Sequence, residues 1–74
     1  MTNTIEISKE YITLGQLLKE AGVIDTGGMA KIFLLEYKAF VNEEQDQRRG
    51  RKLYPGDVIE IEGAGVFEIA SSTS

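Results

Sequence analysis

The chain has 74 residues, room for one small domain, and its eight Lys and Arg against twelve Asp and Glu leave a formal charge of −4. It contains no Cys and no His, which excludes disulfides, thiolate nucleophiles, zinc–thiolate centres and the commonest general base. At 42% hydrophobic it is too apolar for disorder, yet its longest apolar run, Ile32 to Leu35, falls far short of the ~20 residues of a membrane span.

The pattern starts with alternation over Thr4 to Ser8, where Ile5 and Ile7 share one side, as in a short half-buried strand. Thr13 with Gln16 makes a capping box, and Ile12 and Leu17 are spaced for a hydrophobic staple. Leu14, Leu17, Leu18 and Ala21 then form one helical stripe, closed by Gly22. A second helix is expected after Asp25-Thr26, either of which can cap it, running to about Tyr37 with Ala30, Phe33, Leu34 and Tyr37 facing the core. Lys31 and Lys38, seven residues apart, would then superpose along one edge, and a flanking strand is expected to cover Ile32 on the other side.

Ala39 to Asn42 reads as a strand with Phe40 in the core, turning at Glu43-Glu44, and Gln45 to Lys52 as polar and irregular. Tyr54-Pro55-Gly56-Asp57 has the residues of a type II turn, with Tyr54 expected to pack on the proline. Val58 to Glu62 and Val66 to Ile69 alternate as two strands around Gly63-Ala64-Gly65, with Ile59, Ile61, Phe67 and Ile69 inward. That loop lacks a third Gly and a following helix, so it is no dinucleotide fingerprint. The expected organisation is one α+β domain over residues 1–70, with residues 71–74 a frayed tail.

Four of the eight basic residues (Arg48, Arg49, Arg51 and Lys52) lie within five positions, and the remainder of the chain is strongly acidic. Arg forks grip phosphate oxygens, Lys adds a point charge, and Gly50 permits close backbone approach. The opposite reading, a solvated loop neutralised by Glu43, Glu44 and Asp46, has equal weight on spacing alone. Gly27 and Gly28 could present amides to a phosphate, and Lys31 in the first turn of the second helix points to an anion nearby. No cofactor or metal is expected. Paired-carboxylate catalysis needs a cleft that so short a chain rarely builds, so the chain reads as a non-enzyme.

The order of features resembles the S-four-type RNA-binding domain, named for a protein of the small ribosomal subunit. The segments that carry the likeness are Tyr11-Ile12-Thr13-Leu14-Gly15-Gln16, Gly27-Gly28, Phe40-Val41-Asn42 and Arg48-Arg49-Gly50-Arg51-Lys52-Leu53-Tyr54-Pro55-Gly56-Asp57. They are similar, more narrowly, to the small stand-alone YaaA-like bacterial proteins of that family, over about residues 11–63. The resemblance implies two packed helices on a small, bent, mainly antiparallel sheet, with structured RNA (ribosomal or transfer) held along the helix pair and the adjoining loop. It places Lys31 on the helix presented to RNA and Arg48, Arg49, Arg51 and Lys52 on the basic loop, with a ribosomal particle as a further expected partner. A cytoplasmic monomer is expected, since Met1-Thr2-Asn3-Thr4 shows neither the basic region nor the apolar core of a secretion signal. Two departures stand out. Asp25-Thr26-Gly27-Gly28 lacks the cation many members carry there, and Glu43 replaces the usual Gly after Val-Asn.

A rival class is a ubiquitin-like interaction module whose basic loop docks an acidic partner. Sulfur carriers of that fold need a terminal Gly-Gly, and this chain ends Ser71-Ser72-Thr73-Ser74. Two consecutive helices would favour the RNA module; a hairpin before a single helix would favour the carrier fold.

Overall fold

A computed structural model describes residues 2–72. The strands and helices run β1 (Thr2–Ile7), β2 (Ile12–Thr13), α1 (Leu14–Glu20), a 3-10 turn (Gly27–Met29), α2 (Ala30–Glu36), β3 (Ala39–Val41), β4 (Glu44–Gln45), β5 (Lys52–Leu53), β6 (Val58–Ile61) and β7 (Gly65–Ser71). The larger sheet has the order β1-β7-β6-β3-β4, antiparallel except for the parallel β1–β7 pair; β2 and β5 pair separately. This is the expected α+β class, and the consecutive helices follow the RNA-module order.

Period-two alternation sends Ile7, Ala39, Val41, Ile59, Ile61, Phe67 and Ile69 to one face of the sheet, where they meet Leu14, Leu17, Leu18, Ile24, Ala30, Leu34 and Leu53 in one core. The capping box forms as expected: the Gln16 amide donates to Thr13 Oγ1 and the Thr13 amide to Gln16 Oε1. Gly22 closes α1 at φ +76°.

Several expectations are corrected. Asp25 and Thr26 do not cap α2: a 3-10 turn intervenes, and Thr26, at its start, makes no side-chain cap bond. The helix ends at Glu36 because Tyr37 is already extended (φ −122°, ψ 142°), and Tyr37 is exposed, stacked on Phe33 at 4.6 Å between centroids. No strand covers Ile32, which is 63% exposed, since the sheet lies against the opposite side of α2. Phe40 is not core: with Ala39 and Val41 inward, alternation turns it to the outer face of the sheet. The stretch read as irregular contains β4 and β5, whose two-residue lengths are too short to show alternation. At the other end of the chain, β7 runs through Ser71, and the Ser72 amide donates to the Ile7 carbonyl at 2.9 Å, so Ser71 belongs to the sheet and Ser72 is tied to the end of β1. Residues 73–74 of the expected tail lie outside the described range.

The β3–β4 hairpin turns on Asn42 and Glu43, one residue earlier than expected, with φ of 51° and 73°. Both signs positive make this a type I′ turn, where Asn is tolerated and Glu is strained by its Cβ. That geometry accounts for the family's usual Gly at this position. Glu43→Gly is therefore expected to stabilise the domain by about 0.5–1 kcal/mol in urea unfolding, the relief of strain exceeding the entropy gained by the unfolded chain.

Asn42 and Asp57 serve the scaffold. Asn42 Nδ2 donates to Asp57 Oδ1 at 3.1 Å, the Val58 amide donates to Asn42 Oδ1, and Asp57 Oδ2 accepts the Tyr54 amide across the Pro55-Gly56 turn. Gln47 closes α2, which has no glycine after its last turn: its Nε2 donates to the carbonyls of Leu34 and Tyr37, and its Oε1 accepts the Ala39 amide at 2.8 Å. Gln47→Ala leaves these three groups without their partner and is expected to cost about 1–3 kcal/mol, read as a lower urea midpoint at unchanged slope.

Candidate nucleic-acid interface

The basic loop is fastened to the start of α1 by backbone bonds. The Leu14 amide donates to the Arg51 carbonyl at 2.8 Å and the Gly15 amide to the Arg49 carbonyl at 2.9 Å. This approach explains Gly15, since a Cβ there would lie 3.3 Å from the Arg49 carbonyl oxygen and 3.4 Å from the Ala30 Cβ. The docking creates a shallow groove of about 410 Å³ between α1, the 3-10 turn and the loop, with Gln16, Lys19, Gly27, Arg49 and Gly50 on its walls.

The four loop cations are not equivalent. Asp46, only 8% exposed, accepts from Nε and Nη2 of Arg48 (3.0 and 2.8 Å) and from Nη1 of Arg51 (2.8 Å). Its carboxyl is held well below the usual range, chiefly by the Arg48 side-chain hydrogen bond against the opposing effect of burial. The Arg51 side chain is 32% exposed and shapes the loop from within; that of Arg48 is 75% exposed and keeps donor edges toward solvent. Of the two neutralising readings, Asp46 makes the contacts, whereas Glu43 and Glu44 form no ion pair among the described residues. Arg49 and Lys52 likewise form no ion pair, and Lys52 Nζ sits 4.9 Å over the Tyr11 ring. Tyr54 packs on Tyr11 (centroids 5.7 Å apart), a contact distant in sequence, and it borders a second shallow groove with Arg48, Gly50, Arg51 and Lys52.

The structure thus brings Arg48, Arg49, Arg51, Lys52 and Gly27 around one surface. Gly28 is exposed on the same turn, and Lys31 is exposed next to Ala30, which touches the groove. Lys38 does not join them. The helix stops before it, its amide donates to Glu62 Oε1, and its side chain lines a groove with Phe40 and Glu60. Lys19 is the cation that sequence reasoning missed; its only signal was its place on the polar face of α1. A three-residue 3-10 turn aligns few peptide dipoles, and the positive charges that share the groove with Gly27 are those of Lys19 and Arg49.

Among the described residues no group of side chains could hold a metal, and no helix is long and apolar enough to cross a membrane. Compared with known families, residues 5–70 match the one described as the S4 domain. The chain is also 61% identical over 71 residues to a protein of Bacillus subtilis (strain 168) named "Probable ribosome maturation protein RlbA", covering 96% of this chain and all of that one.

Proposed function

The chain belongs to the S4 domain family, and from that membership we propose that it is a non-catalytic RNA-binding protein that acts in ribosome maturation. The observation that carries this reading is the basic loop pinned across the start of α1, which groups Arg48, Arg49, Lys52 and Lys19 on one side of the molecule. Phosphates of structured RNA, ribosomal or transfer, would lie along that side. Arg48 and Arg49 would supply forked donors, Lys19 and Lys52 point charges, and Gly27 a place for close backbone approach. Lys31 and Gly28 would extend the contact along α2 and its preceding turn; Arg51 would act by holding the loop in shape. Lys38 is left out of this clamp because it lies beside the acidic sheet.

The ribosomal part of this reading is supported by the likeness to the Bacillus subtilis ribosome maturation protein, and a cytoplasmic site of action belongs to the same proposal. The test is crosslinking to RNA in cells followed by sequencing, with the Arg49→Ala, Lys52→Ala double variant alongside. Enrichment of ribosomal RNA segments that the variant loses is expected. Recovery of no RNA above background, with an acidic protein crosslinked through the loop instead, would replace this reading with the protein-docking one.

A further inference from the structure

The larger sheet has an outer face that the RNA reading does not use. Residues paired across neighbouring strands share a face, so Phe40, Glu60, Val66 and Thr2 form one row across β3, β6, β7 and β1, and Val58, Glu68 and Thr4 form the next. On β3, β6 and β7 their neighbours Ala39, Val41, Ile59, Ile61, Phe67 and Ile69 point into the core, so these side chains stand on the opposite face. Val58 is 40% exposed, Phe40 and Val66 are partly exposed, and the apolar side chains lie between carboxylates. None of the five strands of this sheet carries a Lys or Arg, whereas Glu6, Glu60 and Glu68 lie on this face by register, and Glu44, paired with the inward Val41, does not. Glu43 and Glu62 sit at the turns, and Lys38 is a lone cation at the margin, beside Glu62.

We propose that this face docks a Lys- and Arg-rich segment of a partner protein, its apolar side chains on Phe40, Val58 and Val66 and its cations on Glu60 and Glu68. The chemistry selects the occupant. Nucleic acid is repelled by a face of carboxylates, and a second copy of the same face would set Glu against Glu. A metal ion or polyamine would leave the apolar side chains unexplained. Four strands at about 4.8 Å spacing and four residues of about 3.3 Å give a face of roughly 200–250 Å². That is well below the ~800 Å² per partner of a stable globular interface, so a short segment fits where a whole domain does not. The face looks away from the helices, so a basic protein could be held there while the loop side is engaged. This goes beyond the RNA reading and does not depend on it.

The test places the photocrosslinking residue p-benzoylphenylalanine at position 40 or at position 29 of the full chain in cells, with adducts identified by mass spectrometry. Position 29 is chosen because Met29 is exposed on the turn that carries Gly27, beside the loop surface, and is not itself one of the proposed RNA contacts. At position 40 the expected adduct is a protein of net positive charge, attached through a Lys/Arg-rich segment, and Glu60→Lys with Glu68→Lys should reduce it at least fivefold. Position 29 should yield the same RNA adducts with and without those charge reversals, which reports that the fold is intact. RNA, a second copy, an acidic protein or nothing at position 40 would overturn the proposal, as would adducts indifferent to charge reversal on a folded chain. Absence of RNA at position 29 with the basic-protein adduct retained would instead overturn the RNA reading alone.

Discussion

Replacing Arg49 and Lys52 together by alanine is expected to weaken binding to a structured ribosomal RNA fragment roughly thirty- to hundredfold at 50 mM salt, with little change in stability. Each cation that neutralises a phosphate releases about 0.9 counterion, so two lost contacts should also lower the slope of log affinity against log salt by nearly two. For the wild type, with three or four phosphates engaged, raising salt from roughly 50 to 200 mM should weaken binding on the order of forty- to 150-fold. Arg49 and Lys52 are chosen because neither forms an ion pair among the described residues, whereas Arg48 and Arg51 are both tied to Asp46. An affinity indifferent to salt, or equal in wild type and double variant, would remove the clamp.

Asp46→Ala is expected to have the largest effect on stability, about 2–4 kcal/mol, measured by urea unfolding at pH 7. Asp46 ties the basic loop to β3: its backbone amide donates to the Ala39 carbonyl, and its nearly buried carboxylate holds Arg48 and Arg51. Removing it deletes several charge-assisted hydrogen bonds and leaves the partly buried Arg51 uncompensated. In a domain of this size, whose total stability is on the order of 4–11 kcal/mol, that is a large fraction. The sign of the pH dependence follows. Because folding lowers the Asp46 pKa, its contribution is complete above the ordinary carboxylate value near 3.9, and it falls away as pH drops below that value toward the depressed one. Wild type should therefore lose more stability than Asp46→Asn on acidification from roughly pH 5 to pH 2.

Much of the fold was legible because local chemistry decided it. The Thr13/Gln16 capping box, the Gly22 termination, the Tyr54 to Asp57 turn and the alternation in β6 and β7 each need only a few neighbouring residues. What escaped depends on contacts distant in sequence. The β2–β5 pair joins residues about forty positions apart, through Ile12 and Leu53, and neither strand is long enough to show a period. Phe40 sits in a three-residue strand whose inward face is set by its place between β6 and β4 in the sheet.

The basic loop was likewise readable as a cluster, but not its division of labour. Asp46 is the acid that orders it because a backbone bond to β3 places it beneath the guanidinium groups, while Glu43 and Glu44 lie on the hairpin. Lys19 joins the loop only through packing of α1 against Arg49, and Lys38 leaves it because α2 ends one residue before Tyr37. The net charge of −4 is a sum over two surfaces of opposite character, one cationic around the loop and one anionic on the sheet.

That separation of surfaces is the centre of the account, and amide chemical-shift mapping tests it most directly. A folded, uniformly nitrogen-labelled protein would be titrated with a structured ribosomal RNA fragment. Perturbed amides are expected to cluster at Thr13 to Lys19, Gly27 and Arg48 to Lys52, while those of Val58 to Ile61 and Gly65 to Ala70 stay in place. Perturbations centred on β6 and β7, with the loop unmoved, would contradict it.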